Sequence, residues 1–429
     1  MTYGEALEQL YAKLPAFHRI GKAALKPGLE NTIALMAGLA NPHHKFASIH
    51  IAGTNGKGSS SHMLASILQS AGLKTGLYTS PHLKDYRERI RINGQMIPEE
   101  RVISFVKQEL PRLTLSVEPS FFEATVALCF AWFAEEQPDI AVIETGLGGR
   151  LDSTNVITPL ASLITNIGWD HMDLLGNSLP QIASEKAGII KPGRPVVISQ
   201  RQAETTSVFE QKAQACGSPL TFADQRWACQ TWSTDKAVFT SLQSGEQVSF
   251  VPDLPGQYQI YNTLGVLAMV DQLRALGYKI SPSHIEHGLS HVTTQTGLAG
   301  RWQVLRQRPL VVADTAHNSN GLALVLKQAE EAAQGGQLHI ILGVVGDKDL
   351  DLLTPLLPKK ARYTFAEPSV FRKLPAEDLA KRLASADILG EVVPDVNQAL
   401  AQALACARPE DVVLITGSTF LVADLAEIS

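Results

Sequence analysis

The chain has 429 residues, of which 45% are hydrophobic and 18% charged, which is typical of a globular protein with roughly two or three domains. The net charge of −5 lacks the basic footprint of nucleic-acid-binding proteins, so we expect no such partner. No apolar run approaches about 18 residues and the N-terminus lacks a basic region before an apolar stretch, so we expect neither a membrane span nor a signal peptide. The four cysteines form no C-x-x-C pair, which favours reduced thiols and a cytoplasmic protein.

The stretch before residue 46 shows amphipathic patterns that predict helices over residues 5–14 and 28–40. A polar turn over residues 18–21 separates them. Arg19 and Lys22 beside this turn are either contacts for an anionic ligand or simply solvated side chains.

Residues 46–59 combine a buried strand, a glycine-rich loop and the start of a helix. This is the context of a phosphate-binding loop, in which backbone N–H groups and Lys57 at a helix N-terminus meet an anion. The strict pattern G-x-x-x-x-G-K-[ST] is not met, because Gly53 lies too close to Gly56 and because Gly58 follows Lys57. An ordinary turn into a helix therefore stays open as the alternative.

Further short apolar runs predict strands that belong to the same sheet. The runs are at 74–79, 139–144, 160–165 and 195–199. The polar residues that follow them include Ser80, Glu144 and His171, and parallel strands bring such residues to one edge. Ser80 and Glu144 offer oxygen atoms of the kind that Mg²⁺ prefers. His171 is either a ligand of a second ion or a structural residue.

The middle of the chain predicts several helices and one small antiparallel appendage. Ser120 and Glu123 form a capping box that begins a helix predicted over 120–134. Glu123 is either a functional residue or only a cap of this helix. Further helices are predicted over 180–190, 257–277 and 282–290, the appendage over 218–251 and a linker over 293–300.

Beyond the linker, strands and helices alternate, which predicts a second, mostly parallel, doubly wound sheet. Its strands are expected at 309–313, 337–342, 361–365, 390–393 and 411–416. The first of them leads into His317. We thus expect a domain with the phosphate-binding loop over 1–296 and a second α/β domain over 297–429; the family resemblance given below implies that the first binds ATP. A site shared by two domains can exclude water, which suits a labile acyl phosphate whose charge Lys57, metal ions and His317 would meet.

Motifs along nearly the whole chain occur in the order of one known family. They are Gly53 to Ser59, Thr79-Ser80-Pro81-His82-Leu83, Phe122-Glu123, Glu144 to Asn155 with its Gly-Leu-Gly-Gly-Arg core, Asp170-His171, Glu185-Lys186-Ala187-Gly188, Gln259-x-x-Asn262, Gly300-Arg301, Asp314-x-Ala-His-Asn318 and Gly346-Asp347-Lys348-Asp349. The chain resembles the folylpolyglutamate synthases, including the bifunctional dihydrofolate synthase type, which belong with the Mur ligases.

The resemblance implies an α/β fold with an N-terminal Mur-ligase-type ATPase domain and a C-terminal Rossmann-like domain. It implies that ATP is contacted by Gly53, Thr54, Asn55, Gly56, Lys57, Gly58, Ser59, Asn262, Arg301 and Asp314, and that His317 lies near the phosphates. It implies one Mg²⁺ bound by Ser80 and Glu144 and a second bound by Glu144, His171 and Lys186. It also implies a pterin site lined by Ser120, Phe121, Phe122, Glu123, Leu151, Asp152 and Ser153. In this family the lysine that matches Lys186 can be carbamylated. Two residues depart from the family pattern, Ala299 and Thr315.

The implied reaction begins when the carboxylate of dihydropteroate or of a folate glutamyl tail attacks the γ-phosphate of ATP. L-Glutamate then attacks the acyl phosphate and releases phosphate. The rival interpretations are a Mur-type ligase of cell-wall precursors and a nucleotide-binding regulator without catalysis. The expected partners are small molecules only, and the expected state is a monomer.

Overall fold

The structure, a computed structural model, describes residues 1–15, 28–346 and 350–428, and these divide into two units. Unit 1 comprises Met1–Asp253 and Gln259–Gly297, and unit 2 comprises Leu254–Tyr258 and Leu298–Ser429. The predicted turn at 18–21, with Arg19 and Lys22, and the motif residues 347–349 lie outside the described residues. The predicted domain boundary at 296/297 stays a prediction.

Unit 1 is built on an eight-stranded sheet with the order β4-β3-β2-β5-β1-β6-β7-β8. All neighbours pair in parallel except β2 with β3 and β3 with β4. The strands are β1 (Ser48–Ala52), β2 (Thr75–Tyr78), β3 (Ile90–Ile92), β4 (Gln95–Met96), β5 (Ile140–Glu144), β6 (Ala161–Ile164), β7 (Val196–Ile198) and β8 (Leu220–Phe222). A separate antiparallel sheet contains β9 (Trp227–Trp232), β10 (Ala237–Ser241) and β11 (Gln247–Phe250).

Helices follow most of these strands, as parallel connections require. They are α1 (Tyr3–Lys13), α2 (Glu30–Gly38), α3 (Lys57–Ser70), α4 (Glu99–Ser104), α5 (Leu110–Leu113), α6 (Phe121–Glu136), α7 (Met172–Leu175), α8 (Leu179–Ala187), α9 (Ala203–Cys216), α10 (Gln259–Ala275), α11 (Pro282–Ser290) and α12 (Val292–Thr296). The capping box predicted at Ser120 is present: its hydroxyl accepts from the Glu123 N–H, and Glu123 accepts from the Ser120 N–H.

Two predictions for unit 1 are corrected. The appendage begins at β9, because Leu220–Phe222 pairs in parallel with β7 and extends the main sheet instead. The predicted linker over 293–300 overlaps helix α12, in which the Thr296 hydroxyl donates to the Val292 carbonyl at 2.5 Å. Both elements are short, and the boundaries of elements are the least reliable part of a prediction from sequence patterns.

Unit 2 contains a six-stranded sheet with the order β12-β13-β17-β14-β15-β16, parallel except for β12 against β13. Its elements are β12 (Gln303–Gln307), β13 (Leu310–Ala313), α13 (Ser319–Ala332), β14 (Leu338–Leu342), α14 (Leu350–Leu353), β15 (Arg362–Phe365), α15 (Ala376–Ala384), β16 (Gly390–Val392), α16 (Val396–Cys406), β17 (Val412–Thr416) and α17 (Thr419–Ala423). All five predicted strands are present, and β12 was missed. The α/β fold class, with two mostly parallel sheets, is confirmed.

Among the described residues, no helix combines the length and apolarity that crossing a bilayer demands. The hydrophobic cores form where helices pack on the two main sheets. In unit 1, α6 packs its Ala, Val, Leu and Phe side chains under the sheet, and in unit 2 the apolar face of α13 does the same.

Asp411 is buried directly before β17. Its carboxylate accepts from the N–H groups of Gln337 and Arg408, each at 2.8 Å, and from the Arg408 guanidinium. Burial alone raises the pKa of Asp411, but these donors outweigh it and hold the pKa well below its usual range. Ionised Asp411 therefore stabilises the fold above the unfolded-state pKa, and this stabilisation is lost as the pH falls through the folded-state pKa.

We expect Asp411→Asn to lower the free energy of unfolding at neutral pH by about 1–3 kcal/mol, since an amide cannot accept from every donor. Urea unfolding at neutral pH and in acid measures this, with Asp378→Asn on the exposed side of α15 as the control. A loss that does not shrink in acid would contradict the linkage.

Candidate active site

The loop that follows β1 has the geometry of a phosphate cradle. Gly53 and Gly56 have φ angles of +152° and +84°, and helix α3 begins at Lys57 directly after Gly56. A Cβ on Gly56 would lie 2.1 Å from the Asn262 side-chain oxygen, and one on Gly53 would lie 1.8 Å from the Thr165 hydroxyl. Glycine is therefore required at both positions by backbone conformation and by close approach.

The loop is held by the residues that follow β6, the strand beside β1. The N–H groups of Thr54 and Asn55 donate to the main-chain and side-chain oxygens of Asn166, at 2.8 and 2.9 Å. The Thr165 hydroxyl donates to the Asn55 carbonyl at 2.6 Å. Sequence reasoning did not single out Thr165 or Asn166 as supports. The available signal was their place at the carboxyl end of a strand that neighbours β1.

Two lysines converge on the same carbonyl of this loop. The Gly53 oxygen accepts from Lys57 Nζ at 3.0 Å and from Lys186 Nζ at 2.8 Å. Lys57 also donates to the Thr54 carbonyl at 3.2 Å. Lys186 is only 3% exposed, and burial, followed by the charge of Lys57, lowers its pKa to about 7. A lysine with this pKa carries a large neutral fraction near neutral pH.

Helix α10 brings a polar network to the other side of the loop. Asn262 Nδ2 donates to Gln259 Oε1 at 2.7 Å, and Gln259 Nε2 donates to the Ser59 hydroxyl at 3.1 Å. Gln259 and Asn262 are thus locked against Gly56 and Ser59, although they lie some 200 residues further along the chain. The structure brings Asn262 to the phosphate loop, as a nucleotide contact would require.

Glu144 ends β5 at the same edge of the sheet. Its partner in the register with β1 is Ile51, two residues before Gly53. The Glu144 side chain is 3% exposed, and its Oε2 accepts from the Ser80 N–H at 3.2 Å. The two predicted oxygen ligands, Ser80 and Glu144, are therefore neighbours.

His171 follows β6 in a left-handed conformation, with a φ of +49°. Its ring Nε2 lies 3.8 Å from Asp170 Oδ1, and its backbone N–H donates to the same oxygen. Within the described residues, no group of three or more His, Cys, Asp or Glu side chains is arranged to hold a metal. Only two of the predicted metal ligands, Glu144 and His171, are of these residue types. This observation therefore does not test the predicted set, which stays a prediction.

The glycine-rich loop after β5 packs closely against α8. A Cβ on Gly149 would lie 2.9 Å from the Lys186 carbonyl, and one on Gly188 would lie 2.4 Å from Arg150. The Arg150 guanidinium pairs with Glu185 at 2.9 Å. The two glycine motifs thus bring the backbone of α8 near enough for Lys186 to reach the phosphate loop.

The residues predicted for the pterin site differ in their surroundings. Phe121 is buried and stacks on Tyr11, with ring centroids 5.1 Å apart, whereas the Phe122 ring lies against Gly146, where a Cβ would come within 2.4 Å. Glu123 caps α6, and its role in the pterin site stays a prediction. Leu151 is 42% exposed and Ser153 begins a short turn that Asp152 caps.

In unit 2, Asp314 is held at the end of β13. Its carboxylate accepts from the Tyr258 hydroxyl at 2.6 Å and from the N–H groups of Trp302 and Ala316 at 2.7 and 2.8 Å. Burial raises the pKa of Asp314, and these donors oppose that rise. Tyr258 was not singled out from the sequence.

Arg301 and His317 share the neighbouring residue Thr315. The Arg301 guanidinium contacts the Thr315 hydroxyl, and His317 Nδ1 lies 2.9 Å from the Thr315 carbonyl. Thr315, a departure from the family pattern, thus touches one of the predicted nucleotide contacts. Asn318 caps α13 by accepting from the Gly321 N–H.

Two family models match the two parts of the chain that carry these features, the glycine-rich phosphate loop and the second α/β unit, and show that the protein is a Mur-type ligase. The model of the Mur ligase middle domain matches residues 51–270, and that of the Mur ligase glutamate ligase domain matches residues 300–419. The dihydrofolate synthase/folylpolyglutamate synthase of Bacillus subtilis is 33% identical over 423 residues, which cover 94% of this chain and 95% of that protein.

Solved structures agree with this relationship. Escherichia coli FolC in complex with DHPP and ADP superposes with a TM-score of 0.84 at 29% identity, covering 99% of this chain and 96% of that one. The bifunctional enzyme of Yersinia pestis, complexed with AMPPNP and a manganese ion, gives 0.83 at 28% identity and covers 99% and 97%. The chain belongs to the folylpolyglutamate synthase/dihydrofolate synthase family of ATP-dependent ligases. The family resemblance and the enzyme class predicted from the sequence are confirmed.

Proposed function

We propose that the protein joins L-glutamate to dihydropteroate, to the glutamyl tail of a folate, or to both, and converts ATP to ADP and phosphate. The observation that supports this most is the juxtaposition of the phosphate loop, buried Glu144 and buried Lys186 at one sheet edge. It occurs in a chain that aligns with 95% of a relative named for these two activities.

The substrate carboxylate attacks the γ-phosphorus of ATP, and the bond between that phosphorus and the β–γ bridging oxygen breaks. The amine of L-glutamate then attacks the acyl carbon, phosphate leaves with one carboxylate oxygen, and the amine loses a proton. Backbone N–H groups at the start of α3 and the Lys57 ammonium bind the phosphates and meet the charge that develops on them. His317 is the proposed further contact near the phosphates.

The donor set fits Mg²⁺, because Glu144 supplies a carboxylate and Ser80 a hydroxyl, both hard oxygen ligands. Ser80 and Glu144 would hold one ion, and Glu144, His171 and Lys186 a second. When bound, these ions neutralise phosphate charge and polarise the γ-phosphoryl group.

Carbamylation of Lys186 would resolve the problem of a cation beside a metal. An ammonium repels Mg²⁺, whereas a carbamate offers anionic oxygens. The reaction needs a neutral amine, which adds to carbon dioxide and loses a proton, and the lowered pKa of Lys186 supports that form.

Asn262, Arg301 and Asp314 are proposed nucleotide contacts. The proposed pterin site comprises Ser120, Phe121, Phe122, Glu123, Leu151, Asp152 and Ser153. The carboxylates of Glu123 and Asp314 also accept backbone N–H groups, so each of them helps to hold the chain around its own site. A monomeric state and a cytoplasmic location remain our predictions.

Replacement of His171 by alanine tests the second ion. We expect the Mg²⁺ concentration for half-maximal rate to rise by about tenfold, since one ligand of an ion is lost. Titration of ADP release with Mg²⁺ measures this, with His284→Ala on α11 as the control. An unchanged titration would return His171 to a structural role.

The proposed function is tested by ADP release with Mg²⁺, ATP and L-glutamate, with dihydropteroate or tetrahydrofolate as the acceptor. Turnover with both acceptors indicates a bifunctional enzyme, and turnover with tetrahydrofolate alone a tail-extending synthase. Turnover with neither would contradict the proposal and favour a ligase of cell-wall precursors or a regulator.

A further inference from the structure

A buried histidine lies in the middle of β1, three residues before the phosphate loop begins at Gly53. His50 is fully buried, and its Nε2 lies 2.8 Å from the hydroxyl of Thr154. That hydroxyl lies 2.5 Å from Asp152 Oδ1. The three side chains form a continuous chain that runs from the interior of the sheet to the loop after β5.

The direction of these hydrogen bonds follows from the partners of Asp152. Oδ2 accepts from the Leu147 N–H at 2.8 Å and Oδ1 accepts from the Thr154 N–H at 3.0 Å, so both oxygens face donors. Burial raises the pKa of Asp152, and the hydrogen bonds that its carboxyl group accepts oppose this rise. The ionised carboxylate only accepts, so the single hydroxyl proton of Thr154 is directed to Asp152. The Thr154 oxygen is then the acceptor for His50.

His50 must therefore carry its proton on Nε2. Burial lowers the pKa of His50 to about 3, so the ring is neutral and has one N–H only. Nδ1 has no hydrogen-bond partner in the described structure. The tautomer is thus fixed by Thr154 and Asp152.

Capping alone does not account for this arrangement. Asp152 caps the turn Ser153–Val156 through the N–H of Thr154, and this needs no contribution from β1. An imidazole in the centre of a buried strand carries a desolvation cost that an apolar side chain would avoid. Its one hydrogen bond goes to the residue that orients Asp152.

We propose that His50 and Thr154 are positioning residues that fix the orientation of the Asp152 carboxylate for recognition of the pterin-bearing substrate. This rests on the proposed function, which assigns Asp152 to the pterin site. A pterin ring presents an amino group and a ring N–H, and a carboxylate held in one orientation offers acceptor atoms at fixed positions to donors of this kind. The ring is bound through Asp152, and His50 and Thr154 do not touch it.

The test compares two pairs of variants by steady-state kinetics. Thr154→Val keeps the shape of the side chain and removes the hydroxyl, whereas Thr154→Ser keeps the hydroxyl. His50→Leu removes the donor, whereas His50→Gln retains an N–H near the Nε2 position. The control is Ser162→Ala: Ser162 is paired with His50 in the register of β1 and β6, and its hydroxyl donates to Ile189 instead.

We expect Thr154→Val and His50→Leu to raise the KM for the pterin acceptor by about tenfold or more, with the KM for ATP and L-glutamate unchanged. Thr154→Ser and His50→Gln should restore most of the loss, and Ser162→Ala should match the unmodified protein. An equal rise in all three KM values, or no rise in a variant that melts normally, would overturn the inference. If the unmodified protein turns over neither pterin acceptor, the proposed function fails instead.

Discussion

Replacement of Lys57 by alanine is expected to reduce glutamate-dependent ADP release by at least about a hundredfold, because the variant loses a preorganised cation at the phosphates. Lys57 is the first residue of α3, and its ammonium lies over the carbonyls of Gly53 and Thr54. Its own hydrogen bonds are to the loop, so alanine leaves the strand, the glycines and the helix in place. ADP release at saturating ATP measures the effect.

The matched control is Lys107→Ala, an exposed lysine of the same unit. It should retain full activity. Thermal melting of both variants separates a loss of chemistry from a loss of fold. A Lys57→Ala variant that folds and still releases ADP at the normal rate would contradict the assignment of residues 53–59 as the phosphate-binding loop.

Replacement of Glu144 by glutamine is expected to lower turnover by about a hundredfold or more and to raise the Mg²⁺ requirement. Glutamine has almost the same shape, and its oxygen can still accept from the Ser80 N–H, so the local backbone keeps its partner. Only the negative charge at the end of β5 is lost. The rate as a function of Mg²⁺ concentration measures both effects.

Glu136→Gln is a suitable control, because Glu136 ends α6 and pairs with Lys74 on the exposed side of unit 1. Equal Mg²⁺ titrations for Glu144→Gln and Glu136→Gln would contradict the metal assignment. Direct Mn²⁺ binding, measured without substrate, gives a second readout that does not depend on turnover. Weaker binding is expected only for Glu144→Gln.

The elements that carry the site were predictable because each has a local signature. The strand, glycines and lysine around Gly53 and Gly56 fix β1 and the start of α3, and the capping box at Ser120 fixes the start of α6. The strands of unit 2 were predictable because short apolar runs alternate with amphipathic helices.

What was missed depends on tertiary packing. The short strand Leu220–Phe222 joins the main sheet by pairing with the edge of β7, and no residue pattern within the strand predicts this. Asn166 supports Asn55 from the loop after β6, and Tyr258 reaches Asp314 from 56 residues earlier. Such partners are brought together by the fold, so their types and spacing carry no periodic signal.

The most direct measurement follows the oxygen atoms of the acceptor. Dihydropteroate or tetrahydrofolate with a heavy oxygen isotope in its carboxylate is incubated with ATP, Mg²⁺ and L-glutamate, and the released phosphate is examined by mass spectrometry. If the carboxylate is activated as an acyl phosphate, each amide bond formed transfers one labelled oxygen to phosphate, and this is the result we predict. Unlabelled phosphate alongside amide product would contradict it.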